Sequence, residues 1–438
     1  MKQPRILVTG SSTFFATRLI HDLGRRGVDI TAADSLRYSA GKSSRFVSRG
    51  LRVPTLGTDP GPYLEAILAE LKLREYDLLL PTFEESLLFS EYEADIRPYT
   101  RLFLPEFSAM QTLHHKPSLH ALCQELGLPT PPTLTIRSAD SLQAVADQIG
   151  FPVVLKLPSA NNAVGFSYCE DFESLNRDFQ QVSSQQDVRS REWPFVQKKI
   201  EGNLVCSLCF GYQGRKLAEV VYRTSRTFPQ AGGTAAHRES IQHPLVSNIS
   251  DRLIKETKWS GFIGFDFLVE NQTGIPYVID ANPRSTPAIN LGFLCGLDWS
   301  QLILDLIAEK VPAPREPKIG IHAHTLLLDV SWLLEGLLPR TGSLWNFPRR
   351  CAEFLAPPWP VHSMDDLCSV GEVRSALVAT VQVVSCFGRS ILSKRTPREV
   401  LLEDVNYNSM SAEHYRLSRQ NALIADDRNA LLLQRQPQ

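Results

Sequence analysis

The stretch "FIGFDFLVENQTGIPYVIDANPR", Phe262 to Arg284, constrains this chain more than any other. Two apolar runs flank the turn-forming "NQTG", so they must fold back on each other as an antiparallel hairpin. Folding the flanks about Thr273 sets Asp266 opposite Asp280, a separation of about 5 Å at Cβ. Strand side chains alternate with period two, so Asp280, Asn282 and Arg284 share one face. An otherwise apolar strand thus carries an acid, an amide and a guanidinium on one side, with a second acid across from them. Burying such groups without partners costs several kcal/mol. One reading is an internal salt bridge, with Arg284 neutralising one Asp and the other hydrated at a strand end. The other is a cation between the carboxylates and an anion on Arg284. Hard oxygen donors in that number (Asp266, Asp280, Asn282) suit magnesium, with manganese as the alternative, sharing a coordination shell with water and phosphate. Arg284 is fitted to grip a phosphate or carboxylate with two parallel hydrogen bonds.

Two lysines favour the second reading. Lys156 lies inside the apolar strand "PVVLKLP", where an ammonium is costly unless an anion meets it. Lys116 stands at the start of the helix "KPSLHALCQELG", against the usual preference for cations at the C-terminal end. Each alone reads equally as a snorkelling surface lysine. Together with the carboxylate patch they outline a site for a nucleotide polyphosphate.

The 438 residues suggest about two to four domains. "RILVTG", "DITAADS" and "LLLP" read as strands separated by helices, which implies a parallel sheet up to about residue 108. "VTGSSTFFA" invites a dinucleotide-binding reading, but Gly10 is its only glycine, and a structural turn is the alternative. Residues 109–312 alternate hairpins and helices. After "VPAPREP" the texture becomes apolar and helical, and the tail reads as frayed. "VRSALVATVQVVSCFGRSIL" is interrupted by Arg374 and Gln382, so it reads as a packed helix rather than a membrane element. A net charge of −1 calls for no nucleic acid or other polyanion as partner. The start of the chain has no signal-peptide pattern. The scattered cysteines, including the strand pair Cys206 and Cys209, read as reduced and buried, which suits a cytoplasmic location.

The order "K…GLPTP", "PVVLK", "VQKKIEG" and "FDF…VIDANPR" resembles the ATP-grasp superfamily of carboxylate–amine ligases, nearest the carbamoyl-phosphate synthetase-like and biotin carboxylase branch. The resemblance covers roughly residues 5–312. It implies a mixed α/β and α+β fold with three parts. These are a Rossmann-like N-terminal domain (1–108), an ATP-grasp domain (109–312, dividing near 202) and a mostly helical C-terminal region (313–438). It further implies ATP and magnesium as cofactors. Lys116 and Lys156 would contact ATP phosphates, Gln197 the adenine amino group, and the backbone of Lys198 and Ile200 the rest of the base edge. Asp266, Asp280 and Asn282 would hold magnesium, and Arg284 the transferring phosphate. Glu84 in "TFEES" would line the cleft. The chain departs from the family pattern in three places. Asp280 stands where Glu is usual. Leu204 stands where an acid often holds the ribose, with Glu201 a substitute. The phosphate-covering loop "PSANNAVGFSY" has one glycine, Gly165, with Asn161 and Asn162 tolerating turn geometry.

"YRTSRTFPQAGGTAAHRES" carries Arg223, Arg226, His237 and Arg238 around Gly232 and Gly233. It reads either as a solvated basic connector or as a loop that captures a carboxylate through Arg226. The expected activity is ATP-dependent ligation of a small carboxylate to an amine through an acyl-phosphate, by a monomer or homo-oligomer. Alternatives are activation of an enolate oxygen, as in ligases similar to those of mycosporine assembly, and bicarbonate activation. Outside this class stand an NAD(P)-dependent oxidoreductase or epimerase and a non-catalytic nucleotide-binding module.

Overall fold

The computed structural model describes residues 3–158, 166–185, 193–228, 234–336, 346–355, 363–365, 372–393, 406–407 and 411–419. The loop with Asn161, Asn162 and Gly165, the Gly232–Gly233 pair and the C-terminal tail lie outside them.

The alternation of strand and helix builds a five-stranded parallel sheet. Its strands are β1 (Arg5–Val8), β2 (Asp29–Asp34), β3 (Val47–Arg52), β4 (Leu78–Leu80) and β5 (Arg101–Leu102), in the order β3-β2-β1-β4-β5. The helix Phe14–Arg25 follows β1 directly, capped by the Thr13 hydroxyl, which accepts from the Ala16 amide at 3.3 Å. The turn between them needs Gly10, whose φ is +63° and where a Cβ would lie 2.8 Å from Thr82 Oγ1.

A small antiparallel sheet comes next. It consists of β6 (Thr133–Thr135), β7 (Val153–Lys156), β8 (Phe166–Cys169) and β9 (Phe195–Lys198), ordered β6-β9-β7-β8. Period-two alternation gives this sheet two different faces. Val153, Leu155 and Val196 pack against the helices Leu142–Ile149 and Phe172–Gln185. Lys156 and Gln197 lie on the opposite face, toward the cleft.

The large sheet starts with the long antiparallel strands β10 (Gly202–Tyr212), β11 (Arg215–Phe228), β12 (Thr234–Ser240), β13 (Gly261–Glu270) and β14 (Pro276–Asn282). One face buries Ile263, Phe265 and Phe267 with Val246 and Leu253 of the helix Pro244–Glu256. The other carries Cys206, Leu208 and Tyr222 beside the helices Ala288–Leu294 and Trp299–Ile307.

The region after 312 is more than a helical appendage. β15 (His322–His324) pairs antiparallel with β12, and β16 (Ser363–Asp365) pairs parallel with β15. They complete the order β14-β13-β10-β11-β12-β15-β16. The helix Val373–Ser393 docks on the N-terminal sheet unit, where Ser375 donates to the Ala40 carbonyl at 2.7 Å and Gln382 accepts from the Ala40 amide at 3.0 Å. The helix at 411–419 follows suit through Arg419 and Asp95 at 2.8 Å. No described helix is long and apolar enough to cross a membrane.

Candidate functional site

The hairpin β13–β14 brings Asp266 opposite Asp280 and Gly264 opposite Asn282. The register is less simple than a fold about Thr273. Nearer the turn, Phe267 faces Val278 and Val269 faces Pro276, one residue tighter, and Ile279 is the extra residue of a bulge. The burial pattern records the bulge. Val278 and Ala281 both enter the core cluster of Phe265 and Phe267 although they lie three residues apart. The bulge returns Asp280 and Asn282 to the cleft face, alongside Asp266.

The Asn282 amide donates to Asp266 at 3.2 Å, and Lys116 Nζ stands 3.3 Å from Asp280. Burial, and then the charge of Asp280, push the Asp266 carboxyl up to about 6. Lys156 approaches from the small sheet, its Nζ donating to Gln197 Oε1 at 2.7 Å. Burial pulls this ammonium down to about 8; Asp280 opposes that shift and Lys116 adds to it. The cleft therefore has a carboxylate floor on one sheet and a cation on the other, with Lys116 between them.

Arg284 lies past the end of β14. Its guanidinium sits over the Phe83 ring at 4.4 Å, with Nε 3.5 Å from Glu84, and the residue is only 8% exposed. The salt bridge to a hairpin Asp is therefore not the arrangement found: Arg284 turns to the N-terminal unit, and Lys116 neighbours Asp280. Ser86 donates to the Pro283 carbonyl at 3.0 Å and Ser285 to the Thr82 carbonyl, which pin this segment to the N-terminal unit. Glu84 is thus a buried partner of Arg284, and its other oxygen accepts from the Tyr407 amide at 2.7 Å.

The structure gives several sequence candidates other surroundings. Gln197 is 2% exposed, and its amide faces Lys156, His120 and Thr133 rather than open space for a nucleobase. The Lys198 side chain points to the far side of the small sheet, donating to the carbonyls of Gly150 and Phe151. Its amide goes to Pro132 O at 2.8 Å, so of the two backbone amides only that of Ile200 has no partner among the described residues. Glu201 is exposed beside Lys199 at 3.8 Å, and Leu204 packs partly into the core.

Arg226 is the clearest correction. Its guanidinium grips Asp329 with both oxygens, at 2.8 and 3.0 Å, and lies over Trp332. Asp329 is fully buried, so this pair fastens β11 to the helix Leu326–Glu335; the guanidinium is not left open to a substrate. Arg223 pairs with Glu239 at 2.7 Å, and His237 stacks on His322.

Sequence reasoning passed over His120 and made no choice of Arg238. His120 lies four residues after Lys116 on one helix, a spacing that puts both on the same face. Arg238, 1% exposed on β12, donates to Thr325 at 3.1 Å and lies close enough to Tyr222 and Cys206 for its charge to act on them.

Two facing carboxylates and an amide oxygen are a sparse donor set. Among the described residues no group of three or more His, Cys, Asp or Glu could hold a metal ion. The set nevertheless fits a divalent cation that takes its remaining ligands from phosphate and water.

The dinucleotide reading of the first turn fares differently. Asp34 accepts from the Ser12 amide at 2.6 Å and the Leu36 amide at 2.9 Å. Its carboxylate thus takes up the Ser12 amide of the turn before the helix Phe14–Arg25, and the Thr13 hydroxyl takes up the Ala16 amide of the first helical turn.

No family model matches the chain. It is 22% identical over 196 residues to the carbamoyl phosphate synthase large chain of Thermus thermophilus, covering 43% of this chain and 19% of that one. It is 25% identical over 186 residues to the D-alanine–D-alanine ligase of Pelotomaculum thermopropionicum, covering 38% of this chain and 57% of that one. The chain thus spans less than two thirds of either curated relative. The crystal structure of a biotin carboxylase–βγ-ATP complex from Campylobacter jejuni superposes with a TM-score of 0.60 at 18% identity, over 72% of this chain and 74% of that one. The chain therefore has an ATP-grasp fold of the biotin carboxylase type.

Proposed function

We propose that the chain is an ADP-forming ligase that uses ATP and magnesium to join a small carboxylate to an amine. The observation that carries this reading is the cleft itself: Asp266, Asp280 and Asn282 on one sheet, Lys156 on the other, Lys116 and Arg284 at the edges. A carboxylate oxygen of the substrate attacks the γ-phosphorus, the bond to the β-phosphate oxygen breaks, and ADP leaves. An amine then attacks the carbonyl carbon of the acyl-phosphate, the carbon–oxygen bond to phosphate breaks, and the nitrogen loses its proton. A divalent cation held by Asp266, Asp280 and Asn282 would neutralise phosphate charge. Lys116 and Lys156 hold the phosphate oxygens, so they act by position and charge. Arg284, held against Glu84 and Phe83 at the edge of the cleft, would meet the transferring group there. The named activities of the relatives, D-alanine–D-alanine ligase among them, support the class of reaction. The described cysteines are all unpaired, which supports a cytoplasmic location.

Screening pools of carboxylates and amines for magnesium-dependent ADP release tests the activity. Asp280→Ala and Arg284→Ala should each abolish that release in a protein that stays folded. Turnover retained by either variant would overturn the site assignment.

A further inference from the structure

Four polar side chains form a continuous line beneath the cleft, and elementary hydrogen-bond chemistry gives it one direction. A lysine ammonium only donates. The Gln197 atom 2.7 Å from Lys156 Nζ is therefore the amide oxygen. The amide nitrogen then faces His120 Nε2 at 2.8 Å and Thr133 Oγ1 at 3.0 Å. A ring nitrogen that receives an N–H must be bare, so the proton of His120 sits on Nδ1 and goes to Thr130 Oγ1. Thr130 in turn donates to the Val278 carbonyl at 3.4 Å. Reversing any member sets two donors or two acceptors against each other.

The line crosses the cleft. It begins on β14, two residues from Asp280, where the Val278 amide also binds the Pro129 carbonyl at 2.9 Å. It ends at the lysine of the opposite sheet. His120 and Gln197 are each 2% exposed. An apolar pair would fill the same space without the desolvation cost of two polar groups. Burial, with Lys156 and Lys116 nearby, pulls the His120 ring down to about 3, which keeps it neutral and able to accept.

We propose that His120 is a positioning residue: it fixes the Gln197 amide so that the amide oxygen holds the Lys156 ammonium at the phosphate end of the nucleotide cleft. The proposal rests on the ATP reading above and adds to it a residue that touches no substrate.

Two measurements on the full chain test it. Long-range proton–nitrogen correlation in the nucleotide-free protein should show neutral His120 protonated on Nδ1 from pH 5 to 9. An Nε2–H tautomer, or an imidazolium, overturns the proposal. Calorimetry should show that His120→Phe weakens ADP binding by about tenfold, the loss of one hydrogen bond to a charged group. Adenosine, which lacks phosphates, should be bound within about twofold of the wild type. His120→Gln restores an acceptor and should recover most of the loss. In a Lys156→Met background, His120→Phe should have no further effect on ADP. Equal losses for adenosine and ADP, or losses that add in the double variant, overturn the proposal and leave the nucleotide reading intact. A folded wild-type chain that binds no ADP overturns both.

Discussion

Asp266 lies buried at a cleft edge opposite Asp280 of the hairpin, and burial first, with the Asp280 charge second, disfavours its ionised form. The carboxyl of Asp266 is raised from its ordinary value to about 6. An acid with a raised folded-state pKa contributes stability while it is protonated, below about pH 4, and that contribution is lost as pH rises through about 6. Asp266→Asn should therefore stabilise the nucleotide-free protein at pH 8, by on the order of 1–2 kcal/mol. It should do nothing at pH 4 and should remove cation-dependent turnover. Urea unfolding at the two pH values measures the difference. Lys156 titrates the other way, its ammonium lowered to about 8. ADP affinity should fall as pH rises from 7 to 9.5, and Lys156→Arg should flatten that profile in calorimetric titrations. Both lysines and the hairpin acids were legible in the sequence, because charged groups inside apolar runs announce a burial cost. Gln197 and Arg226 were not, because a polar side chain's partner depends on ångström-scale packing by distant segments.

The element that decides the site is the bulged hairpin. A plain two-residue period accounts for Asp280 and Asn282, but the turn is one residue tighter than a fold about Thr273, and Ile279 restores the register. Such a bulge has no sequence signature here, since "YVID" reads as ordinary strand. The strand β11 carries a second lesson. Its Arg226 is only 10% exposed at the side chain and Asp329 is fully buried. Asp329→Ala should cost about 3–5 kcal/mol, because it leaves a buried guanidinium uncompensated. Arg226→Met with Asp329→Leu should recover most of that. Denaturant midpoints give the stabilities. Nucleotide affinity, measured in parallel, should stay near the wild-type value in the double variant, as expected of a fastening rather than a ligand contact.

On the scale of the whole molecule, the region after 312 closes the fold. β15 covers the edge of β12, the helix Val373–Ser393 lies on the N-terminal unit, and Tyr407 reaches Glu84. A chain ended at residue 312 should lose these together. It would expose the β12 edge, a template for pairing with other chains, and leave Arg226 without Asp329. Size-exclusion chromatography should show aggregation of that truncated form, where the full chain runs as a discrete species.

The amino-acid sequence determined the local events: alternating strand and helix in the first hundred residues, the hairpin about "NQTG", and the lysines that sit where burial would otherwise penalise them. These follow from periodicity, turn chemistry and desolvation, which act over a few residues. Only the tertiary structure decided which groups meet. It set Arg284 against Glu84, joined His120 to Lys156 through Gln197, turned Arg226 away to Asp329, and brought Asp34 to the Ser12 amide. Each pairing joins residues far apart along the chain, and a hydrogen bond is won or lost over less than an ångström.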